Sequence, residues 1–395
     1  MRFITFLFLS VIFSTLNAQP YQIGHTTISL IDSSRANRSI PTEIYYPADV
    51  AGNNVPVTTL NTSKFPILSF GHGFVMTWDA YQNISEAVVP EGFIIAFPKT
   101  ETGLSPSHSE FGKDLAFVIA QLNRLNHSSA SAFYNRIDSM NCVMGHSMGG
   151  GAAFLAAGLD STIKTLATLA PAETNPSAIN TASNISLPSL IMAGGNDCVT
   201  PPVTNQIPMY DSLQSNCKSF ISIIGGSHCQ MAENNFLCSF GEATCTPQPT
   251  ITRGDQHIVI NRYLIPWLNY QLKGDCLAGI QFDSLITTDA SINYQKSCVL
   301  CSTSTAVNEL NNTNVEVYPN PFLDKIEIRL SSTGFNSVKI SLSMLNGTKV
   351  YSDAFENVKP NESLFINSLS HLTNGMYLLK IDIGNGAIFR KLVKY

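Results

Sequence analysis

Charged side chains are scarce in this sequence, and their scarcity excludes one large class of function. Asp, Glu, Lys and Arg make up 13% of the 395 residues, which is about half of the share that is usual in soluble domains. The formal net charge is only −5, so the chain lacks the basic field with which proteins bind nucleic acids. We expect no nucleic-acid partner, and solubility rests on uncharged polar side chains.

Long hydrophobic runs are also missing beyond the N-terminus. No later stretch reaches the roughly 18 consecutive apolar residues that a membrane helix needs. The N-terminal run from Phe3 to Phe13 follows Arg2 and precedes small residues that end at Ala18. This pattern predicts a secretory signal at residues 1–18, and an uncleaved amphipathic helix is the alternative.

Nine cysteines remain to be explained in a chain that we expect to be exported. Such a chain forms disulfides, and the odd number leaves at least one thiol free. Cys142 is the candidate, because it lies in an apolar strand where it would be buried. Cys298 and Cys301 form a single CxxC without a second pair, so zinc is a weak interpretation. We expect no metal and no organic cofactor.

Apolar runs alternate with amphipathic stretches up to about residue 300. Continuous apolar strands separated by helices predict an α/β fold, with a mostly parallel sheet covered on both faces. The strand-like runs are 65–70, 92–98, 140–145, 164–171, 188–194 and 218–226, and the clearest helical stretches are 111–125 and 257–272.

The pattern changes after a small, polar linker. Strand-like alternation, punctuated by Asn-Gly and Gly-Asn pairs, predicts a small antiparallel β-sandwich at the C-terminus. We therefore predict a signal at 1–18, an α/β domain at 19–303, a linker at 304–316 and a β-sandwich domain at 317–395.

Ser147 lies among glycines in the stretch "VMGHSMGGGAAF", residues 143–154. A nucleophile elbow needs a strand, a sharp turn and a helix, with small residues beside the serine because the helix packs close behind it. Gly145 and Gly149 leave that room, and "AAFLAAG" can begin the helix. The motif alone arises by chance in chains rich in Gly and Ser, so its context has to support it.

That context is a carboxylate and an imidazole further along the chain. A serine hydroxyl becomes nucleophilic when an imidazole takes its proton and a carboxylate orients the imidazole. In an elbow-type fold the order is Ser, acid, His, with the last two on loops after later strands. Asp197 and His228 follow two such strands, so we predict Ser147, Asp197 and His228 as the catalytic triad.

Other residues compete for these roles. Glu173 and Asp211 are alternative acids, but Glu173 follows an earlier strand and Asp211 lies in a helical stretch. Within the predicted α/β domain, His257 is the other histidine downstream of Ser147, and it lies in the last helical stretch before residue 300.

Hydrolysis by such a triad also needs two backbone N–H groups for the oxyanion. Met148, after the nucleophile, would supply one. Phe74, after the pair His72-Gly73, would supply the other, unless that pair is only a turn.

Together these motifs resemble the polyester hydrolases of the cutinase and PET-hydrolase type, over residues 65–270. The resemblance is carried by "GHGF", "GHSMGGGAAFLAA", "AGGNDCVTPP", "MYDSL" and "GGSH" in this order. It implies an α/β-hydrolase fold and a secreted serine carboxylic-ester hydrolase that works through an acyl-enzyme. The residues it implies are the triad Ser147, Asp197 and His228, the oxyanion donors Phe74 and Met148, and the substrate contacts Phe74, Met148, Ala172 and Val199.

One position departs from that family. Its members usually place a Trp after the strand that ends "TLAP", where it stacks on an aromatic ring of the substrate, and this chain has Ala172. Aliphatic esters would fit the open wall as well as aromatic ones. We expect a monomer acting on an ester or polyester. The alternatives are an esterase resembling lipases, chlorophyllases or platelet-activating-factor acetylhydrolases, and a non-catalytic surface binding protein.

The resemblance also suggests a disulfide between the acid loop and the histidine loop. PET-hydrolase relatives often join these loops, although through cysteines at neighbouring positions. Cys198 follows Asp197 and Cys229 follows His228, and we predict a bridge between these two cysteines.

Residues 317–395 resemble the C-terminal sorting domain of type IX secretion cargo. The matching stretches are "YPNPF", "NGMYLLKI" and the basic end "RKLVKY". The resemblance implies that the type IX machinery is a partner and that the protein is secreted or attached to the outer cell surface. An accessory carbohydrate-binding sandwich is the alternative, because a sandwich alone does not report function.

Overall fold

The chain divides into two compact units, Met1–Cys301 and Ser302–Tyr395. The computed structural model describes residues 21–60, 62–301, 315–330, 335–344, 349–383 and 387–394. The predicted signal at 1–18 lies outside the described residues, and so does the predicted linker up to residue 314. No helix in the described part of the chain has the length and the apolar character needed to cross a bilayer.

A ten-stranded mixed sheet forms the centre of the first unit. Its strands are β1 Gln22–Asp32, β2 Arg38–Ala48, β3 Gly52–Asn53, β4 Phe65–Gly71, β5 Ile94–Pro98, β6 Ile137–His146, β7 Thr165–Leu169, β8 Ser189–Gly194, β9 Lys218–Ile223 and β10 Ile292–Lys296. They stand in the order β10-β9-β8-β7-β6-β4-β5-β2-β1-β3. Strands β4 to β9 pair in parallel, whereas β1, β2 and β10 pair antiparallel at the two sides.

Eight α-helices accompany this sheet in the described part of the first unit. They are α1 Gln82–Val88, α2 His108–Leu125, α3 Met148–Leu159, α4 Ala178–Ala182, α5 Gln206–Ser212, α6 Phe236–Glu242, α7 Arg253–Lys273 and α8 Cys276–Thr288. Successive side chains of a strand point to opposite faces, so β4 contributes Ile67 to one apolar core and Leu68 to the other. Helices α2 and α3 pack in the first core, and α7 and α8 in the second. The predicted α/β fold covered on both faces is confirmed.

The second unit is an antiparallel β-sandwich. Its strands are β11 Val315–Tyr318, β12 Ile326–Leu330, β13 Phe335–Met344, β14 Lys349–Val358, β15 Ser363–Ile366, β16 Gly375–Asp382 and β17 Ala387–Lys394. They form two sheets, β11-β12-β15 and β14-β13-β16-β17, whose inner side chains share one apolar core. Strand β11 begins at Val315, inside the range predicted as linker. The predicted sandwich is confirmed.

The disulfides correct one prediction and confirm another. Cys142 is free and buried, as expected. The predicted Cys198–Cys229 bridge is wrong, because each of these cysteines bonds to the segment that contains α6 and not to the other. The four bridges are Cys198–Cys245, Cys217–Cys298, Cys229–Cys238 and Cys276–Cys301.

The physical reason is local. Cys229 begins a 3₁₀ turn, Cys229–Met231, that leads the chain away from β9 toward α6. Cys198 and Cys229 follow two residues that contact each other, but this adjacency does not determine the directions of the cysteine side chains. Both cysteines of the CxxC pair are also in disulfides, and the described residues contain no group of three or more His, Cys, Asp or Glu side chains that could hold a metal.

Candidate active site

Ser147 occupies the sharp turn between β6 and α3. Its φ of 55° lies in the left-handed region that residues with a side chain rarely adopt. Its N–H donates to the carbonyl oxygen of Leu169 on β7 at 3.0 Å, and its own carbonyl accepts from the N–H of Ala172 at 2.9 Å. The neighbouring strand and the loop after it therefore hold the turn in place.

Glycines in this motif allow helix α3 to start against the sheet. A Cβ on Gly149 would lie 2.1 Å from the carbonyl oxygen of Gly71 at the end of β4. A Cβ on Gly145 would lie 2.3 Å from the carbonyl oxygen of Gly149. No side chain fits at such distances, so the glycine pattern follows from the packing of the helix behind Ser147.

Asp197 and His228 meet on the loops that follow β8 and β9. The Nδ1 atom of His228 lies 2.8 Å from Oδ2 of Asp197, and the side chains are 2% and 0% exposed. The other carboxylate oxygen, Oδ1, accepts from the N–H groups of Val199 at 2.9 Å and Thr200 at 2.8 Å. Because a carboxylate accepts, Nδ1 of His228 is the donor in this contact.

Thr200 contacts both members of this pair, and Gln206 in turn contacts Thr200. The Thr200 hydroxyl oxygen lies 2.9 Å from Oδ2 of Asp197 and 3.0 Å from Nδ1 of His228. The side-chain amide of Gln206 donates to that hydroxyl oxygen at 3.1 Å and to the carbonyl oxygen of Pro171 at 2.6 Å. Sequence patterns did not indicate either residue, although a Thr three residues after an Asp is a common local hydrogen-bonding signal.

The backbone on both sides of His228 is held by buried polar side chains. Gln256 on α7 accepts from the N–H of Ser227 and donates to its carbonyl, each at 2.8 Å. Glu242 at the end of α6 accepts from the N–H of Cys229 at 3.2 Å. The main chain before and after His228 is therefore fixed by side chains that are distant in sequence.

His146, the residue before Ser147, connects three parts of the site. Its Nε2 lies 3.2 Å from the carbonyl oxygen of His228, and its Nδ1 lies 2.9 Å from the Tyr81 hydroxyl. That hydroxyl accepts from the N–H of Gly73 at 2.7 Å. His146 and Tyr81 are both fully buried.

With a neutral His146, the protons in this hydrogen-bond chain can be ordered in one way. An amide N–H only donates and a carbonyl only accepts. Gly73 therefore donates to Tyr81, Tyr81 donates to Nδ1 of His146, and Nε2–H donates to the carbonyl of His228. This order requires a neutral His146, and burial lowers the pKa of His146 well below its ordinary value of 6.5.

The other predicted site residues differ in how much surface they offer. Phe74 and Val199 are 46% and 41% exposed. The side chain of Met148 packs into the apolar core, so its backbone N–H is the part left for the predicted oxyanion role. Ala172 is half-buried, and its N–H bonds to Ser147 as described above.

The alternative acids and the alternative histidine have other contacts. The Glu173 carboxylate accepts from the N–H of Ile179 in α4 at 3.0 Å, and Asp211 lies in α5. The ring of His257 on α7 contacts the carbonyl oxygen of Ala232 at 3.2 Å. Of the three carboxylates considered, Asp197 is the one in contact with His228.

Comparison with known proteins assigns the first unit to a family. The profile of the PET hydrolase-like family matches residues 15–243. The chain belongs to this family. Cutinase 2 of Thermobifida cellulosilytica is 26% identical over 216 residues, covering 53% of this chain and 79% of the relative. For the cutinase cut1 of Thermobifida fusca the identity is also 26%, with 53% of this chain and 65% of the relative covered. A bis(hydroxyethyl) terephthalate hydrolase of Streptomyces coelicolor is 25% identical, with 53% and 61% covered.

The second unit matches a different family. Residues 316–395 match the profile described as a secretion system C-terminal sorting domain. The predicted sorting domain is confirmed, and it indicates type IX secretion, so the protein is extracellular or attached to the cell surface.

Proposed function

We propose that this member of the PET hydrolase-like family is a secreted serine ester hydrolase with cutinase-like activity on polyesters. The buried contact of 2.8 Å between Asp197 and His228 carries the proposal. The strained turn at Ser147 supports the proposal as well. This turn lies beside His228, because the ring of His146, the residue before Ser147, is 4.7 Å from the ring of His228, centroid to centroid. The cutinases and the terephthalate-ester hydrolase among the relatives support the substrate class.

The mechanism follows from the groups in this constellation. His228 takes the proton of Ser147 as its Oγ attacks the ester carbonyl, and Asp197 stabilises the imidazolium that forms. The backbone N–H groups of Met148 and Phe74 donate to the oxyanion. The protonated His228 gives its proton to the leaving alcohol, and the acyl-enzyme remains. Water, deprotonated by the same His228, then releases the acid and restores Ser147.

The substrate side of the proposal rests on an open site. Phe74 is 46% exposed and offers one aromatic face to an ester. Ala172 offers no ring on the position where the related enzymes usually have a Trp. We therefore infer that aliphatic polyesters are hydrolysed at least as well as aromatic ones.

The decisive experiment compares the full chain with Ser147→Ala on p-nitrophenyl butyrate and on a powdered aliphatic polyester. We expect the variant to lose at least about a thousandfold in kcat/KM, because the nucleophile is gone. Ser139→Ala, at the opposite end of β6, is the matched control and should keep full activity. A wild type without esterase activity, or an active Ser147→Ala variant, would overturn the proposal.

A further inference from the structure

Helix α6 exposes an apolar face to solvent. Phe236, Leu237 and Phe240 are 79%, 52% and 74% exposed. The two phenylalanine rings stack with their centroids 6.5 Å apart, as residues four apart on a helix can. Clusters of large apolar side chains on a surface mark interaction sites more often than isolated ones do. We call these three side chains the α6 face.

The α6 face carries no charge of its own. Glu242, the one charged residue in α6, is buried and bonds to the N–H of Cys229. Residues 229–252 include no Lys or Arg at all. A face of this kind does not fit an anionic membrane, because proteins bind such membranes through basic residues around an apolar helix face.

A helix of seven residues is not stable alone, and this one is held by its surroundings. Asn235 caps it by accepting from the N–H of Cys238 at 3.1 Å. Cys238 is bonded to Cys229, with 5.6 Å between the Cα atoms. The exposed apolar side chains therefore stay on a fixed platform.

That platform is tied to both loops of the proposed active site. Cys238 bonds to the residue after His228, and Cys245 bonds to Cys198, the residue after Asp197. With 5.6 Å between the Cα atoms of the Cys229–Cys238 bridge, the Cα of Phe240 lies within about 17 Å of that of His228. The α6 face is thus held near the position where an ester would react.

We propose that the α6 face adsorbs the surface of a solid, uncharged polyester and holds it at the active site. This inference rests on the proposed function and deepens it. A small soluble ester contacts the cleft alone, whereas a solid polymer presents an extended apolar surface that can cover the cleft and α6 together. Three side chains bury far less than the roughly 1,000 Å² that a stable protein interface needs, so a second copy of the chain is a poor occupant.

The test uses the double variant Phe236→Ser/Phe240→Ser in the full chain. Adsorption is measured as depletion of protein from solution by polycaprolactone powder, in a Ser147→Ala background so that the surface stays intact. We expect affinity for the powder to fall about tenfold or more, because two exposed aromatic side chains no longer leave water on binding. In the active background, kcat/KM on p-nitrophenyl butyrate should stay within twofold while release of acid from the powder falls.

Leu60→Ser/Leu159→Ser is the matched control, since these residues are 69% and 61% exposed. Leu159 lies at the far end of α3, about 18 Å from Ser147 for a helix of 12 residues. Leu60 lies two residues after Thr58, and the carbonyl of Thr58 accepts from the side chain of Arg136, just before β6 begins, at 2.7 Å. We expect this control to adsorb like the wild type.

Each result has a defined meaning. Unchanged adsorption in the α6 variant, or an equal loss in the control, would overturn the inference. Vesicles of phosphatidylcholine and phosphatidylglycerol that bind through the same residues would overturn the choice of a polyester. A wild type that does not hydrolyse p-nitrophenyl butyrate would refute the proposed function instead, and adsorption would still be measurable.

Discussion

The two units bury very different side chains. The first unit buries polar and charged groups around the candidate site, among them His146, Asp197, Gln206, His228 and Gln256. In the described part of the second unit, Lys394 and the hydroxyl-bearing Tyr377 are the only residues with a polar or charged side-chain group that are buried. A buried polar group lowers stability unless it is paired. The first unit buries many such groups around the candidate site, whereas the sandwich buries very few.

The cysteines follow the same division. All nine lie at or before Cys301, and two of the four bridges end on the residues directly after Asp197 and His228. Loops lack the regular backbone hydrogen bonds of helices and strands. At the candidate site, disulfides restrain the two loops instead. The sandwich consists of strands that pair along their length, and its apolar core suffices. The contrast teaches that the candidate active site and the disulfides lie together in one unit, and that the other unit is built without cysteine.

Substituting one histidine in each unit gives the strongest test of this contrast. We expect His228→Ala to lower kcat/KM on p-nitrophenyl butyrate by about a thousandfold or more, because the proposed general base is lost. His371→Ala, at an exposed position of the second unit, should leave activity unchanged. Residual activity in His228→Ala near that of wild type would break the contrast.

Removing disulfides should affect the first unit alone. Cys198→Ala/Cys245→Ala opens a loop with a sequence separation of 47, and Cys229→Ala/Cys238→Ala one of 9. Chain entropy predicts losses of about 4 and about 2.5 kcal/mol. Calorimetry should show a lower Tm for the first unit and no change in the second, together with reduced esterase activity. Equal Tm values in both double variants and the wild type would contradict the role given to these bridges.

Two buried tyrosines allow a matched comparison of hydroxyl groups. Tyr81→Phe leaves the N–H of Gly73 and Nδ1 of His146 unpaired, and Tyr377→Phe removes a bond of 2.7 Å to the carbonyl oxygen of Thr373. Each should cost about 1–3 kcal/mol in its own unit. Only Tyr81→Phe should lower kcat, by about tenfold, with little change in KM. If both variants lowered kcat equally, the hydrogen-bond chain would have no positioning role.

Acid should weaken the first unit through His146. Burial lowers the pKa of His146 well below 6.5, so the unfolded chain binds a proton that the folded chain does not. Stability therefore falls as pH drops below about 6.5, by up to about 1.4 kcal/mol for this group at pH 5.5. Chemical denaturation at pH 7.5 and 5.5 measures this loss. His146→Gln, which cannot titrate, should reduce the difference, and an undiminished difference would assign it to other groups.

The smallest effect is expected from removing the second unit. A chain that ends after residue 303 keeps all nine cysteines and every predicted site residue. It should fold and retain wild-type kcat/KM on p-nitrophenyl butyrate, because the two units have separate cores. An insoluble or inactive truncated chain would show that the sandwich completes the enzyme.

Local sequence determined much of the architecture. The apolar runs at 65–70, 140–145 and 188–194 form β4, β6 and β8, because a strand buried on both faces needs apolar residues at every position. Ser147, Asp197 and His228 could be predicted as site residues in this order, because each of them follows such an apolar strand. Gly145 and Gly149 also marked the turn, because close packing of a helix leaves no room for a Cβ.

Tertiary structure alone decided the rest. Strands β1 and β2 are partly exposed and alternate weakly, so their pairing beside β5 left no clear pattern. Contacts between residues 9 to 82 positions apart hold the site. They include the disulfides, the hydrogen bonds of Gln256 with Ser227 and the contact of His146 with the carbonyl of His228. Whether such groups meet depends on the direction of each side chain after the loops have folded. No local pattern encodes that direction, which is why the pairing of Cys198 with Cys229 was predicted and does not occur.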